Sequence, residues 1–290
     1  MFSGSIVAIV TPFRKGRVDE RALGDLIEFQ LANGTDGIVP CGTTGESATL
    51  SHQEHERVVA FTIEAVKRRV PVIAGTGSNS TDEAIALTRH AKKVGADGAL
   101  LITPYYNKPM QEGLFRHYKA VAEAVDLPLV LYNIPSRTSV NLLPSTVGRL
   151  AAIRNIVAIK EGSGSLQQVS EILQACGDRF TVLSGDDPLT LPMMAVGAKG
   201  VITVTANIAP ADMAAMVDAF AAGQLDRARR LHDKMFPLFT ALFYETNPIP
   251  VKAALAMMGK IDGELRLPLC PMASESREKL ARVMKEYGLI

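Results

Sequence analysis

The sequence predicts a parallel (β/α)8 barrel with a C-terminal helical extension. Three observations lead there. Short apolar runs alternate with helical patterns eight times in about the first 210 residues. The runs are apolar throughout, as strands covered on both faces must be. No glycine-rich phosphate loop follows an early strand; Thr11-Pro12-Phe13 stands there instead, which argues against a doubly wound sheet.

The elements follow in order. Ser5–Val10 is the first strand, closed by Thr11-Pro12. Asp19 to Leu31 has helical spacing through Leu23, Leu26 and Ile27, and Asn33-Gly34 stops it. Gly37–Cys41 is the second strand. Ser51 opens a helix with Glu54 three residues on, a capping box. Val70–Ala74 is the third strand, and Ser80 with Glu83 could cap the next helix in the same way. Gly98–Ile102 is the fourth, followed by a helix over about 111–124. Leu127–Tyr132 is the fifth, and a short helix near Pro144–Leu150 leads to the sixth, Ile156–Gly162. A helix over about 165–175 precedes the seventh strand, Phe180–Leu183. Pro188–Val196 is helical and precedes the eighth, Gly200–Val204. From about Ala209 the pattern is helical only: Ala211–Ala221, Gln224–Phe243, Pro250–Met258 and Ser274–Tyr287. The expected division is a catalytic barrel over 1–208 and a helical extension packed on it over 209–290.

Composition narrows the function. The chain has 290 residues, 47% hydrophobic and 21% charged, enough for a sizeable core. A formal net charge of +1 offers no electrostatic footprint for nucleic acid. No run reaches the apolar length of a membrane span, and Met1–Val10 lacks a signal-peptide design. Cys41, Cys176 and Cys270 are far apart and form no C-x-x-C, which favours free thiols and a cytoplasmic location. The five histidines are scattered, and the H-Q-E-H at His52–His55 lacks the spacing of a zinc helix, so no metal site is expected.

In such a barrel the chemistry lies at the C-terminal ends of the strands. The sixth strand ends in Lys160. A free lysine amine has a pKa of about 10.4, but burial among apolar side chains lowers it and frees the amine to attack a carbonyl. The alternative is a lysine that snorkels to the surface from a strand end. The second strand is followed by Gly42-Thr43-Thr44-Gly45-Glu46-Ser47, whose glycines, hydroxyls and N–H groups could cradle an anion or simply make a turn. Tyr105 and Tyr106 follow the fourth strand and Tyr132 ends the fifth. A strand-end tyrosine can relay a proton, or pack with a polar tip. Arg137 could grip a carboxylate with two N–H groups, or form a surface salt bridge. Asp186 or Asp187 would cap the helix after the seventh strand. An amine nucleophile beside these groups suggests imine chemistry: the protonated imine is an electron sink, and the enamine it yields attacks a second carbonyl.

These motifs together resemble the pyruvate-dependent class I aldolase/lyase family of (β/α)8 barrels. The likeness runs from G-S-I-V-A-I-V-T-P at Gly4–Pro12 to R-L-P-L at Arg266–Leu269. It includes G-T-T-G-E at Gly42–Glu46, I-K-E at Ile159–Glu161, Y-N-I-P-S-R-T at Tyr132–Thr138 and N-P-I-P-V-K at Asn247–Lys252. The Tyr132–Thr138 string is similar to the group that condenses pyruvate with L-aspartate 4-semialdehyde on the lysine and diaminopimelate route. Siblings that cleave N-acetylneuraminate or 2-keto-3-deoxy sugar acids are not expected to carry this arginine. A non-catalytic keto-acid-binding barrel would have no need of a desolvated amine.

The resemblance implies the following roles. Lys160 forms the imine with pyruvate, and no cofactor is needed. Tyr132, Thr43 and Tyr106 form a proton relay, with Tyr106 reaching in from a neighbouring subunit. Thr43 and Thr44 hold the pyruvate carboxylate. Arg137 binds the carboxylate of the semialdehyde, and Gly185 and Ile202 line the site near the imine. The implied assembly is a homotetramer, a dimer of dimers. A second site for inhibitory L-lysine is implied at Ser47, Ala48, His52, His55, Asn79, Glu83 and Tyr105. One departure stands out: after Lys160-Glu161 many members read Ala-Thr-Gly, whereas this chain has Gly162-Ser163-Gly164, an extra glycine expected to loosen the loop.

Overall fold

The computed structural model describes residues 2–290. Its strands are β1 (Gly4–Ala8), β2 (Phe13–Arg14), β3 (Arg17–Val18), β4 (Gly37–Val39), β5 (Ile73–Gly75), β6 (Gly98–Ile102), β7 (Leu129–Asn133), β8 (Ile156–Glu161), β9 (Thr181–Ser184) and β10 (Gly200–Thr203). Eight of them form one parallel sheet in the order β4-β1-β10-β9-β8-β7-β6-β5. A parallel bridge between Ile38 and Val72 joins its two ends. There the Ile38 N–H donates to the Pro71 carbonyl at 3.0 Å and the Gly75 N–H to the Pro40 carbonyl at 2.9 Å. The sheet is therefore rolled into the expected barrel, with helices around it.

The unbroken apolar runs have a simple origin: each strand faces two apolar layers. Ile6, Ala8, Val39, Leu100, Val130, Leu183 and Ile202 fill the barrel interior. The alternate residues Val7, Ile38, Leu101, Leu131, Ile159 and Val182 point outward into the layer shared with the helices. After β10, the helix Pro210–Ala221 packs on β1 and the helix Leu225–Ala241 packs on it. Ser274–Tyr287 then lies against both Leu225–Ala241 and Ile249–Met257.

Several local expectations need correction. The third strand shrinks to Ile73–Gly75, and the helix expected at Pro188–Val196 spans only Thr190–Ala195. The hairpin of β2 and β3 and the short helix Pro135–Thr138 have no counterpart in the sequence reading. At Ser51 the capping box is complete: its hydroxyl accepts from the Glu54 N–H at 3.2 Å and Glu54 accepts from the Ser51 N–H at 2.9 Å. At Ser80 only half of it forms. The hydroxyl accepts from the Glu83 N–H at 3.5 Å, but the Ser80 N–H turns to Ser78 Oγ at 3.0 Å. Glu83 has instead turned its carboxylate toward His52 and Ser78.

The register of β1 against β10 depends on a residue without a side chain. Gly200 has φ +144°, and a Cβ there would stand 2.1 Å from the Gly4 carbonyl oxygen. Gly200→Ala is therefore expected to destabilise the fold by about 3 kcal/mol, the scale of strain at a special backbone position. Urea unfolding followed by circular dichroism would measure it; an unchanged midpoint would contradict the close approach.

Candidate active site

Lys160 and Tyr132 are direct partners across β8 and β7. In a parallel pair, partners point to the same face, here the barrel interior. The Lys160 Nζ consequently sits over the Tyr132 ring, 4.3 Å from its centroid. Lys160 is only 6% exposed and Tyr132 5%. Snorkelling is ruled out by that burial.

Burial sets the electrostatics. Desolvation pushes the Lys160 amine down to about 8; the Asp187 carboxylate opposes this, and Arg137 adds to it. Desolvation pushes the Tyr132 phenol up to about 12, with Arg137 and the Thr43 hydroxyl pulling back. At neutral pH roughly a tenth of the Lys160 amines are therefore unprotonated, while Tyr132 stays a phenol that can donate. Gly185 makes room for the lysine stem, since a Cβ there would lie 3.1 Å from Lys160 Cγ. Ile202, on β10, packs in the same interior cluster as Tyr132.

Tyr132 lines a cavity of about 290 Å³ together with Thr43, Arg137 and Asn247 among others, and Lys160 is not among its lining residues. Arg137 stands on the short helix Pro135–Thr138. It forms no surface salt bridge: its Nη2 donates to the Asn247 carbonyl at 3.1 Å, and the residue, although exposed, lines the cavity. Thr44 is 2% exposed and its hydroxyl accepts from Asn247 Nδ2 at 3.0 Å. Tyr106 is not brought into its own chain's cavity; it is 90% exposed, at φ +71°.

The loop after Lys160 is not loose. The Gly162 N–H donates to the Asn133 carbonyl at 2.8 Å, and the Ser163 N–H to Glu161 Oε1 at 2.6 Å. Glu161, 1% exposed, also accepts from Asn133 Nδ2 at 3.1 Å. Three backbone and side-chain bonds thus outweigh the freedom of one glycine.

Asp187 has a different task from the cap expected of it or Asp186. The helix Thr190–Ala195 has no side-chain cap. Asp187 Oδ2 accepts instead from the Thr205 N–H at 2.7 Å and the Thr205 hydroxyl at 2.6 Å, behind β10. From there its charge reaches Lys160. The sequence held one signal for this: Asp187 follows a strand end, as the other site residues do.

A second cavity, of about 160 Å³, adjoins the first and is lined by Ser47, Ala48, His52, His55 and Glu83. His52 Nε2 lies 2.8 Å from Glu83 Oε1. His55 is 6% exposed and donates from Nε2 to the Gly75 carbonyl at 2.8 Å, leaving a buried Nδ1 without a partner. Burial holds its pKa below the usual histidine value. Tyr105 lines the first cavity rather than this one. Asn79 lines neither; its carbonyl accepts from Asn107 Nδ2 at 2.9 Å. Among the described residues no helix is long and apolar enough to cross a membrane, and no cluster of His, Cys, Asp or Glu could hold a metal.

Comparison with known proteins bears on this geometry. The dihydrodipicolinate synthetase family matches residues 1–287. The 4-hydroxy-tetrahydrodipicolinate synthase of Syntrophus aciditrophicus is 67% identical over 290 residues, covering 100% of both chains. The dihydrodipicolinate synthase of Acinetobacter baumannii, solved in complex with pyruvate, is 50% identical, with a TM-score of 0.98 and 100% of each chain covered. That of Cyanidioschyzon merolae, solved with lysine bound, is 42% identical, with a TM-score of 0.97, over 100% of this chain and 99% of the other.

The lowered amine pKa has a kinetic signature. Only the neutral amine attacks, so imine formation with a 2-oxo acid is expected to accelerate as pH rises to about 8 and to level off above. Asp187→Asn should move that midpoint to lower pH, because the carboxylate favours the ammonium form. Initial rates of borohydride-trapped adduct against pH would show both. A flat profile, or a midpoint raised by Asp187→Asn, would contradict the assignment.

Proposed function

The chain belongs to the dihydrodipicolinate synthetase family, and from that premise we propose how its own residues carry the reaction. Its activity is that of a 4-hydroxy-tetrahydrodipicolinate synthase, a lyase that condenses pyruvate with L-aspartate 4-semialdehyde in lysine and diaminopimelate biosynthesis. The observation that carries the residue assignment is the buried Lys160 amine over the ring of Tyr132, which shares a cavity wall with Thr43 and Arg137.

The neutral Lys160 amine attacks the pyruvate carbonyl carbon. Tyr132 donates a proton to the departing hydroxyl, water leaves, and the protonated imine forms. A proton lost from the methyl carbon gives the enamine, which attacks the aldehyde carbon of the semialdehyde. Ring closure by the semialdehyde's own amine then displaces Lys160. Thr43 passes protons between Tyr132 and the cavity, and Thr43 and Thr44 hold the pyruvate carboxylate. Arg137 holds the semialdehyde carboxylate with the N–H groups that Asn247 leaves free. Gly185 and Ile202 shape the wall around the imine. This chemistry calls on no cofactor, and the setting is the cytoplasm.

The assembly is a homotetramer built as a dimer of dimers, in which Tyr106 of one copy completes the relay of another. Its support is the tyrosine's position, 90% exposed beside Met110 at 80%, in a chain whose own cavity lacks it. L-lysine is a feedback inhibitor bound at the cavity of His52, His55 and Glu83. At an interface between two copies, Glu83 would meet an ammonium group of the ligand and the unpartnered Nδ1 of His55 would accept from another, with Tyr105 and Asn79 as further contacts.

Borohydride trapping with pyruvate, read by intact mass and peptide mapping, should place the adduct on Lys160. Lys160→Ala should abolish the adduct and leave the fold intact. Tyr132→Phe should still trap pyruvate but slow condensation by about 10²–10⁴-fold, the scale of a lost positioned acid–base group. Full activity in Tyr132→Phe would remove the phenol from the mechanism. Arg137→Ala should impair use of the semialdehyde far more than trapping of pyruvate; equal losses would refute its role. Millimolar L-lysine should inhibit the native chain and not Glu83→Ala, and kinetics indifferent to L-lysine would end the feedback reading.

A further inference from the structure

Two charged residues of the matched motifs take no part in the chemistry above. Glu46 ends G-T-T-G-E and Lys252 ends N-P-I-P-V-K. Their side chains are 0% exposed and meet at 2.5 Å. Lys252 Nζ also donates to the Thr11 carbonyl at 3.0 Å and lies over the Phe13 ring, 4.2 Å from its centroid. Glu46 Oε2 accepts from the Arg266 N–H at 3.2 Å. Glu46 is held at φ +52°, a left-handed backbone that a residue with a Cβ seldom adopts.

Each partner sits at the end of a segment that carries substrate contacts. Glu46 closes the turn that presents Thr43 and Thr44, and Thr11 Oγ1 donates to the Gly45 carbonyl at 2.7 Å in the same turn. Lys252 stands in the first turn of the helix Ile249–Met257, just after Asn247, which donates to Thr44 and accepts from Arg137. Lys160 and Tyr132, in contrast, are set side by side by the register of β8 against β7.

We propose that the buried Glu46–Lys252 ion pair is a positioning clamp for condensation, fixing the Thr43–Thr44 turn against the Asn247 segment and so against Arg137. It sets the spacing between the place where the enamine forms and the place where the second carboxylate is gripped. This inference rests on the imine reading above. A displacement of about 1 Å between such groups costs on the order of 10²-fold in rate.

The test removes both charges at once, because either single variant would strand an unpaired charge in the interior. Glu46→Gln combined with Lys252→Met should fold, with unchanged secondary structure and assembly size. At saturating pyruvate its adduct should still be trapped on Lys160, whose place in β8 the variant does not alter, although more pyruvate should be needed because Thr43 and Thr44 hold its carboxylate. Its kcat for condensation should fall about 10²-fold, and its KM for the semialdehyde should rise. Thr11→Val is the milder arm: it cuts only the bond to Gly45 and should lower kcat several-fold with full trapping. A folded double variant with native kcat overturns the clamp, as does a parallel loss of trapping and turnover, which would mark a purely structural pair. Should the double variant not fold, native kcat in Thr11→Val overturns it equally. Failure of the unaltered protein to trap pyruvate would strike the imine reading instead.

Discussion

The site depends on keeping one amine dry. Lys160 stands near the C-terminal end of β8 inside a closed barrel whose interior is mostly Ile, Val, Leu and Ala, with the Tyr132 ring under the nitrogen. Removing water disfavours the ammonium, and the same desolvation disfavours the phenolate of Tyr132. A single physical condition thus favours a neutral amine and a neutral phenol side by side, the two states that the proposed mechanism uses. Asp187 moderates it: its carboxylate favours the ammonium and opposes part of the downward shift, which leaves the amine at about 8. Opening the barrel at the Ile38–Val72 seam would admit water and undo both shifts together.

The chain contains a second buried lysine, and the comparison is instructive. Burial pushes both amines down, but Lys252 has a carboxylate at 2.5 Å and Lys160 has none so close. A desolvated lysine with a bonded carboxylate is a tie; a desolvated lysine without one is a reactive group. The tie also joins parts of the chain that the barrel itself leaves apart. The turn after β4 and the segment from Asn247 belong to opposite ends of the sequence, yet Asn247 bonds both Thr44 and Arg137. The helical extension therefore contributes to the cavity wall as well as to the packing around the barrel.

Much of the fold was legible because its signals are local. Apolar runs marked the barrel strands to within a few residues, and the Ser51–Glu54 capping box marked a helix start. The same capping pattern at Ser80 was only half true, because Glu83 found Ser78 and also His52, 31 residues away and brought near only by the fold. Asp187 read as a helix cap for the same reason: its true partner, Thr205, is 18 residues on and arrives only when β10 is laid beside β9. The β2–β3 hairpin is two residues per strand, too short for periodicity to register. Thr43, Tyr132, Lys160 and Arg137 could be picked out because each stands at or just beyond the end of a strand, and in a parallel barrel all strand ends share one rim.

By itself the sequence determined the order of strands and helices, the apolar content of the barrel and the candidate chemistry at its rim. These follow from side-chain type and spacing along the chain. The tertiary structure alone decided which lysine is desolvated without a partner and which is paired. It decided that Tyr132 and Lys160 stand in register and that Arg137 faces a cavity and not a surface carboxylate. It also decided that the motifs around Glu46 and Lys252 are two halves of one contact. Those are matters of distance between residues far apart in the chain, and burial and charge act through distance.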